Sequence, residues 1–558
     1  MNNIQSSRTG LFIETLFAIA IILLYFVLII IALTPPIAAD ALIHHLAIPK
    51  LWLLNGGFYE IKWADFSYYP MNIDLLYLIP LYFKNDILPN FIHMAFGIGT
   101  AWLIYRHLKV RFNRITGLLG VLIFVSTPIV LRMSTVAYVD LGLVFFTTAS
   151  IFAFVRWRAG NYTEFKWLII SSIAMGLALG TKYNALIAWF FLSTSIVFLY
   201  SRDTGAQWRA VRFGVVFFLV SLFVFSPWLI KNLILTGNPL YPLFADLLTS
   251  GISYTDTDGS IRSIVPGNTT LGIFQLREML YGETFWETLL IPVRFFFQGQ
   301  DYSGRYFDGV LNPVLIVLVP FAFMQRSRYD NRLFFVLISV FFVLSAFFLG
   351  QLHIRYILPA IPLLSALAAA GIMNIFSWAR DRKRPAREVL LCLIILTLFI
   401  FMSRNIIYLK KYFQGIRPMN YVLRLETRDE YLNRHLTSYA AMCYINRHTP
   451  TDSKVRLLFL ARRGYYLDRI YEDDHTYGMD IIRALAANSH EDQPFEAYLR
   501  SLGFTHFLVR TDLSTMFVHD NYPPETAERL FRQINRVTNL IYSANGYAVF
   551  SLSLPGQH

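Results

Sequence analysis

Long apolar stretches separated by short polar loops fill the first 408 residues of the chain. A helix needs about 20 apolar residues to span the hydrocarbon core of a membrane, and about eleven stretches approach that length. They lie at 11–33, 87–106, 115–132, 138–156, 167–181, 184–200, 212–230, 309–325, 333–349, 355–377 and 388–408. This pattern predicts a mostly α-helical fold, a polytopic transmembrane bundle formed by residues 1–408.

Beyond residue 408 the pattern changes, because charged residues become frequent and the apolar runs shorten. Alternating apolar positions predict strands at Val455–Ala461, Thr505–Arg510 and Tyr547–Leu552. Helical periodicity predicts helices at Thr437–Arg447, Gly478–Ala487, Pro494–Leu502 and Pro524–Ile534. Residues 409–558 are therefore expected to form a small soluble α/β domain. It contains neither a P-loop nor a GxGxxG motif.

Basic residues cluster in every second loop of the predicted bundle. Cytoplasmic loops carry an excess of lysine and arginine, so these loops are expected to be cytoplasmic. Examples are Arg106–Arg114, Arg156–Lys166, Arg202–Arg212, Arg326–Arg332 and Arg380–Arg387. The N-terminus is then cytoplasmic and the C-terminal domain lies on the outer face, which is the periplasmic face of a bacterial inner membrane. The acids and remaining cations near helix ends converge on that outer face.

Composition supports a membrane protein and narrows the classes of partner. The chain is 55% hydrophobic and 15% charged, whereas soluble domains carry about 25% charged residues. Its net charge of +13 is explained by the basic residues of the predicted cytoplasmic loops, so nucleic acid is not an expected partner. The two cysteines do not predict a disulfide or a cysteine zinc framework, since Cys392 lies inside an apolar segment.

Two outer loops, 34–86 and 231–308, are much longer than ordinary connections, and such loops often cover binding sites. In the first, Asp40 begins an amphipathic run where a membrane helix has just ended. An aspartate there can cap a helix. Ionisable groups at such places also mark functional sites. We favour a catalytic Asp40, acting as a general base on an acceptor hydroxyl or amine.

The polar residues that follow Asp40 form a candidate substrate loop with His44, His45 and Asp65. His44 lies four residues after Asp40, on the same face of a helix. Asp40 and His44, with Asp65 as a further candidate, could hold a divalent metal, but no tight ligand motif such as HExxH occurs. Interfacial histidines without a metal are therefore the favoured interpretation, and no cofactor is expected with certainty.

A second acid and several cations lie at other predicted outer helix ends. Asp140 is either a favourable charge at a helix N-terminus or a second catalytic acid. The cations are Lys50, Lys182, Lys231, Arg305 and Arg355. Such cations can reach lipid headgroups. They can also bind a phosphate, lysine as a point charge and arginine bidentately. Their number on the outer face, against the positive-inside trend, favours binding of a phosphate group.

Several of these stretches together resemble the GT-C superfamily of membrane glycosyltransferases. The nearest branch contains the protein O-mannosyltransferases and the lipid A aminoarabinose transferase. The stretches are Asp40–Lys50, Ala137–Asp140, Gly176–Tyr183, Pro227–Pro242 and Arg355–Pro362. The resemblance covers most of the membrane part, and it rests on the order and spacing of these stretches.

This resemblance implies a donor sugar linked to polyprenyl phosphate and an inverting transfer on the outer face. It also implies that Asp40 is the base and that Asp140 is the second acid. The expected partners are then the lipid-linked donor, membrane lipids, and a lipid, glycan or protein acceptor.

Three other functions fit the pattern of helices less well. A transporter is expected to show paired, interrupted half-helices in two matching halves, and none stands out in the sequence. An O-antigen-ligase-like transferase would also use a lipid-linked donor but usually lacks the early acidic loop. A structural or assembly protein with an inactive membrane fold would not depend on Asp40.

Overall fold

A computed structural model of the chain describes residues 8–244, 254–255, 261–262, 272–324, 331–350, 352–473, 478–489 and 492–552. Helices dominate its first part. They are Arg8–Ala32 (α1), Ala47–Leu54 (α2), Asn72–Tyr82 (α3), Leu88–Arg111 (α4), Arg114–Ser126 (α5), Pro128–Met133 (α6), Asp140–Ala159 (α7), Lys166–Leu179 (α8), Ala185–Thr204 (α9) and Gln207–Thr236 (α10). They continue with Ile273–Tyr281 (α11), Phe285–Leu289 (α12), Ile291–Arg294 (α13), Val314–Val317 (α14), Arg332–Phe348 (α15), Ile361–Arg380 (α16) and Ala386–Ile416 (α17).

Six helical segments of the described chain are long and apolar enough to cross a membrane. They are Arg8–Ala32, Asp140–Ala159, Ala185–Thr204, Gln207–Thr236, Ile354–Arg380 and Ala386–Ile416. Shorter apolar helices at Arg114–Ser126, Lys166–Leu179 and Arg332–Phe348 also coincide with predicted segments. The predicted multi-pass helical bundle is confirmed.

Prolines explain where the predicted segments are divided. The segment 115–132 is interrupted at Thr127, where α6 begins with Pro128. The segment 309–325 becomes α14 followed by a 3₁₀ turn that starts at Pro320. Proline lacks a backbone N–H and so cannot continue the hydrogen bonds of a preceding helix. Hydropathy alone does not distinguish such pairs of short helices from one span.

Polar and charged residues cluster at the two ends of the helical bundle. At one end, Arg158 bonds Asp203 and the side chain of Asn331, and these residues belong to loops predicted to be cytoplasmic. At the other end lie the loop after α1 and the starts of α7 and α16.

Some residues of the predicted loops lie outside the described part of the chain. They are Arg326, Arg328 and residues 245–253, 256–260 and 263–271 of the predicted loop 231–308. Tyr254–Thr255 (β1) and Ile261–Arg262 (β2) pair antiparallel.

The C-terminal part is built around one mixed five-stranded sheet. Its strands are Lys454–Leu458 (β3), Ile470–Glu472 (β4), His506–Arg510 (β5), Thr538–Ala544 (β6) and Tyr547–Leu552 (β7). Its helices are Pro418–Val422 (α18), Arg428–His435 (α19), Tyr439–His448 (α20), Met479–Ala487 (α21), Asp492–Ser501 (α22), Thr511–Asn521 (α23) and Pro524–Val537 (α24). β3 pairs parallel with β4 and β5, whereas β7 pairs antiparallel with β5 and β6.

The predicted small α/β unit is confirmed as part of the fold class. Sequence patterning missed the strands β4 and β6 and the helices α18, α19 and α23. β4 has only three residues, and β6 exposes apolar Leu540, so neither shows a regular alternation. The helix α17 runs through the predicted boundary at residue 408 and ends at Ile416. The division into domains at 408 and 409 stays a prediction.

The C-terminal part packs directly on the loop that follows α1. Lys50 Nζ donates to the carbonyl of Tyr465 at 2.8 Å and to Asp468 Oδ1 at 2.7 Å. The hydroxyl of Tyr466 donates to the carbonyl of Pro36 at 2.7 Å. The first outer loop, which carries Asp40, is therefore held between the helical bundle and the mixed sheet domain.

Candidate active site

Asp40 lies where α1 has ended and the chain turns back toward the bundle. The pair Pro35-Pro36 follows α1, and proline prevents the helix from continuing. Asp40 occupies the N-cap position of a one-turn π-helix, Ala41–His45, but its side chain makes no capping hydrogen bond. The capping interpretation of Asp40 is therefore wrong in this fold, and its carboxylate is directed to other groups.

The Asp40 carboxylate forms an ion pair with Arg355, which follows the start of a 3₁₀ turn, Ile354–Ala360. Asp40 and Arg355 side chains are 22% and 17% exposed, so the pair is reachable from solvent. Burial raises the pKa of Asp40, but Arg355, His44 and His45 lower it by more, and the net pKa lies well below its usual range. Asp40 is therefore ionised at neutral pH.

A second ion pair lies beside the first. Lys182 Nζ donates to Asp140 Oδ1 at 2.8 Å, and the two side chains are 19% and 1% exposed. Lys182 also lies over the ring of Tyr356, 5.3 Å from its centroid, and Arg355 lies 5.4 Å from the same centroid. The Tyr356 ring thus joins the two pairs into one site, which we call the paired-charge site: Asp40, Arg355, Asp140 and Lys182.

Close packing explains why glycine precedes Lys182. A Cβ at Gly180 would lie 2.2 Å from the side-chain nitrogen of Asn72. The Asn72 backbone N–H donates to the carbonyl of Gly180 at 2.9 Å, and its side-chain oxygen accepts from Trp228 Nε1 at 2.8 Å. The start of α3 therefore fits against the end of α8, and this contact fixes the turn that carries Lys182.

His44 and His45 both lie on the one-turn π-helix that follows Asp40, and their ring centroids are 4.0 Å apart. Leu46 N donates to the carbonyl of Ala41, which closes that turn at 2.9 Å. Ligand atoms of Asp40, His44 and His45 lie within 4.8 Å of one another, so these three residues could hold a metal. The sequence pattern indicated Asp40, His44 and Asp65 as the candidate ligands, so His45 takes the place of Asp65 in this group.

Asp74 is a buried partner of the histidines that sequence reasoning missed. Its Oδ1 lies 2.7 Å from His45 Nδ1, and the Asp74 side chain is 2% exposed. Burial lowers the pKa of His45 to about 3 and raises the pKa of Asp74 to about 7. A lone acid in the apolar stretch Asn72–Tyr82 was a signal that could have drawn attention to it.

His93 and two tyrosines hold the turn before α7, and they were also missed. His93 Nδ1 lies 2.7 Å from the carbonyl of Val136, and its Nε2 accepts from the Leu141 N–H at 2.8 Å. The Tyr138 hydroxyl accepts from the Asp40 N–H at 3.2 Å, and the Tyr77 hydroxyl donates to the Tyr138 carbonyl. These bonds tie the turn that carries Asp140 to the loop that carries Asp40.

The other predicted site residues lie apart from this cluster or have structural partners. Lys50 contacts the C-terminal domain, as described above. Lys231 Nζ donates to the carbonyl of Ser67 at 2.7 Å and lies over the Trp228 ring. Arg305 is exposed and lies over the ring of Tyr306. Asp65 begins the 3₁₀ turn Asp65–Tyr68.

The helical architecture resembles that of solved membrane glycosyltransferases of the GT-C class. The structure of ArnT from Cupriavidus metallidurans bound to undecaprenyl phosphate superimposes with a TM-score of 0.54 and 13% identity, over 98% of this chain and 99% of that chain. AglB, an oligosaccharyltransferase from Archaeoglobus fulgidus solved with an inhibitory peptide and a dolichol-phosphate, gives a TM-score of 0.52 and 11% identity. That superposition covers 97% of this chain and 75% of the AglB chain.

Part of the chain also matches the sequence model of a known protein family. Residues 53–236 match the model of the dolichyl-phosphate-mannose-protein mannosyltransferases. No curated protein sequence matches the chain. The resemblance to the GT-C superfamily that the sequence motifs indicate is thereby confirmed, and the chain is a multi-pass membrane protein.

Proposed function

We propose that the chain transfers a sugar from a polyprenyl-phosphate-linked donor to an acceptor on the outer face of the membrane, with inversion and with Asp40 as the general base. The single observation that carries this proposal is the paired-charge site. A solvent-reachable carboxylate there lies beside two cations at the end of a membrane bundle. The lipid phosphate bound to ArnT supports the class of donor.

Arg355 and Lys182 are the groups that would bind the donor phosphate. Arg355 Nε is buried and has no hydrogen-bond partner among the described residues, so the guanidinium retains an N–H for a ligand. Lys182 is held in place by the buried Asp140 carboxylate. Fixed cations stabilise the negative charge that develops on a leaving phosphate. Asp140 then acts as a positioning residue for Lys182.

Binding of the donor would also prepare Asp40 to accept a proton. A carboxylate that is paired with arginine is a weak base, because its pKa lies well below its usual range. When Arg355 moves onto the donor phosphate, Asp40 loses that cation, and the burial of Asp40 then raises its pKa. Asp40 thus becomes a stronger base only when the donor is present.

The reaction that fits these groups is one direct displacement. The acceptor oxygen or nitrogen attacks the anomeric carbon, its proton passes to Asp40, and the bond to the phosphate oxygen breaks on the opposite face of the sugar. The lipid phosphate leaves with the electron pair and is held by Arg355 and Lys182. No covalent sugar–enzyme intermediate is needed, and the configuration at the anomeric carbon inverts.

The first experiment compares the wild-type chain with Asp40→Asn in proteoliposomes. Polyprenyl-phosphate sugars are supplied as a panel, with extracted membrane acceptors, and release of polyprenyl phosphate is measured. Loss of a general base lowers rates by about 10²–10⁴-fold, and we expect a loss of that size. Asp308→Asn is the matched control, because Asp308 also pairs with an arginine, Arg132, at 2.9 Å.

Each other result has a definite meaning. Equal release by wild type and Asp40→Asn would remove Asp40 from the mechanism. Release without a glycosylated lipid, glycan or protein product would indicate hydrolysis rather than transfer. No release with any donor, together with solute uptake into the same vesicles, would replace the proposal with a transporter.

A further inference from the structure

A groove runs along the lateral surface of the helical bundle, between the consecutive helices α9 and α10. Its volume is about 650 Å³, within the range of about 300–1,000 Å³ that ligand sites usually have. Its lining residues lie between Ser193 and Ser201 on α9 and between Val211 and Leu219 on α10. Both stretches are close to the loop that joins the two helices, so the groove lies at the end of the bundle that is predicted to be cytoplasmic.

The shape of the groove follows from the sizes of the residues that line it. Gly214 on α10 allows a close approach to α9, because a Cβ there would lie 2.4 Å from Val197 Cγ2. The two helices therefore touch at the floor of the groove. Phe198 on α9 and Leu219 on α10 are exposed and border it.

The walls of the groove offer an apolar surface. The hydroxyls of Ser193 and Thr194 donate to carbonyls one turn earlier in α9, at 2.7 and 3.1 Å, so they are satisfied within their own helix. From Ser193 to Ser201, and from Val211 to Leu219, each helix rises by about 12 Å. Half of the hydrocarbon core of a membrane is about 15 Å thick. The groove therefore has the length and the polarity to hold an acyl chain of one leaflet.

Two arginines flank the end of the groove that lies nearest the connecting loop. Arg202 follows Phe198 by one turn and lies over its ring, 5.9 Å from the centroid. Arg212 precedes the lining residue Val215 by three positions, so these two residues are neighbours on the surface of α10. Both arginines are exposed. Arg212 has no acidic partner among the described residues.

The charges and the aromatic residue at this end favour an anionic lipid headgroup. The acid nearby is Asp203, which Arg158 and Arg202 share, whereas Arg209 adds a further exposed cation. Trp208 is exposed, and tryptophan is enriched where a membrane meets water. Basic pockets between membrane helices on the cytoplasmic side bind anionic lipid headgroups. A neutral lipid would match the groove but not the arginines.

We propose that the groove between α9 and α10 binds one anionic phospholipid of the leaflet on the predicted cytoplasmic side. One acyl chain lies in the groove, and Arg202 and Arg212 bind the phosphate of the headgroup, as arginine does bidentately. The site is at the opposite end of the bundle from the paired-charge site, and it does not depend on the proposed transfer reaction.

Lipid binding is measured on the full-length chain in detergent, freed of lipid. The chain is titrated with phosphatidylglycerol and, separately, with phosphatidylcholine of the same acyl chains, and bound lipids are counted by native mass spectrometry. We expect one phosphatidylglycerol to bind more tightly than any phosphatidylcholine. In Arg202→Gln/Arg212→Gln its affinity should fall about 25-fold, because each arginine near an anionic lipid contributes about a factor of five. Equal affinities for the two lipids in the wild type would overturn the proposal.

A matched control separates this site from the general attraction of a basic face. Arg106→Gln/Arg382→Gln also removes two exposed arginines from predicted cytoplasmic loops, and each of these lies over a tryptophan ring. This variant should bind phosphatidylglycerol as the wild type does, and equal losses in the two double variants would overturn the site. Higher ionic strength should weaken binding of phosphatidylglycerol but not of phosphatidylcholine to the wild type, because salt screens exposed charges. Phosphatidylglycerol binding that is insensitive to salt would overturn the role of the arginines without any variant.

The apolar part of the site and its occupant are tested separately. Val215→Trp places a large side chain in the groove and should weaken phosphatidylglycerol binding; an unchanged affinity, or displacement of the lipid by inorganic phosphate, would overturn the role of the groove. Polyprenyl phosphate that binds the wild type more tightly than phosphatidylglycerol, and is lost in Arg202→Gln/Arg212→Gln, would replace the proposed occupant. A lipid-free dimer that Val215→Trp dissociates would assign the groove to a second copy of the chain instead.

Discussion

Replacement of Lys182 by methionine tests whether the cation of the second ion pair has a structural role, a catalytic role or both. Asp140 is 1% exposed and its Oδ1 accepts from Lys182 Nζ at 2.8 Å. Its Oδ2 has no hydrogen-bond partner among the described residues. In Lys182→Met the Asp140 charge remains buried without a cation. Removal of one partner from a buried pair costs about 3–5 kcal/mol, and we expect the free energy of unfolding to fall by that amount.

The double variant Lys182→Met/Asp140→Asn separates the two roles. It removes the buried charge as well as the cation, so the free energy of unfolding should return to within about 1 kcal/mol of the wild type, since replacing both partners of a buried pair is often nearly neutral. Transfer should not return, because the donor phosphate has lost one of its cations. Stability is measured by denaturant titration in detergent micelles, and transfer is measured in proteoliposomes.

The matched control is Lys50→Met, which also removes a lysine from an ion pair. Lys50 lies in the first outer loop, 34–86. Its partner Asp468 is 60% exposed, and exposed pairs contribute about 0–1 kcal/mol. A Lys182→Met protein as stable as Lys50→Met would refute the buried pair. A double variant with full transfer activity would refute the role of Lys182 at the phosphate.

The remaining predictions concern the first ion pair, the cation Lys50 and the turn before Lys182. In Arg355→Gln the pKa of Asp40 rises because its cation is gone, so the acidic limb of kcat/KM should move to higher pH; an unmoved limb would exclude Asp40 as the group that titrates. Lys50→Met should leave the KM for the donor unchanged, since Lys50 contacts the C-terminal domain; a large rise in that KM would return Lys50 to the phosphate site. Gly180→Ala should destabilise the fold by about 1–3 kcal/mol, the usual cost of an inserted methyl group in a packed site, because its Cβ would lie 2.2 Å from a side chain of α3. Denaturant titration measures this effect, and a fully stable variant would contradict the close contact.

The site shows how local patterns and long-range contacts differ in what they reveal. Asp40 was recognisable because an acid at the end of an apolar stretch is rare and costly. Lys182 and Arg355 were recognisable as cations on the side opposite to the positive-inside trend. None of these signals identified which acid pairs with which cation. Lys50 carried the same signal as Lys182, yet its partners are in the C-terminal domain.

By itself the sequence determined the membrane bundle, most of its helices and the resemblance to the GT-C superfamily. Hydropathy and helical periodicity are local properties, and the motif order is written directly in the chain. Only the tertiary structure decided that Asp40 meets Arg355, 315 positions away, that Lys182 meets Asp140, and that Asp74 meets His45. Such pairings depend on how helices pack against one another. The same type of polar residue can cap a helix, lie at the membrane interface or belong to an active site. The approach of both histidines to Asp40 on the one-turn π-helix Ala41–His45 is likewise visible only in the tertiary structure.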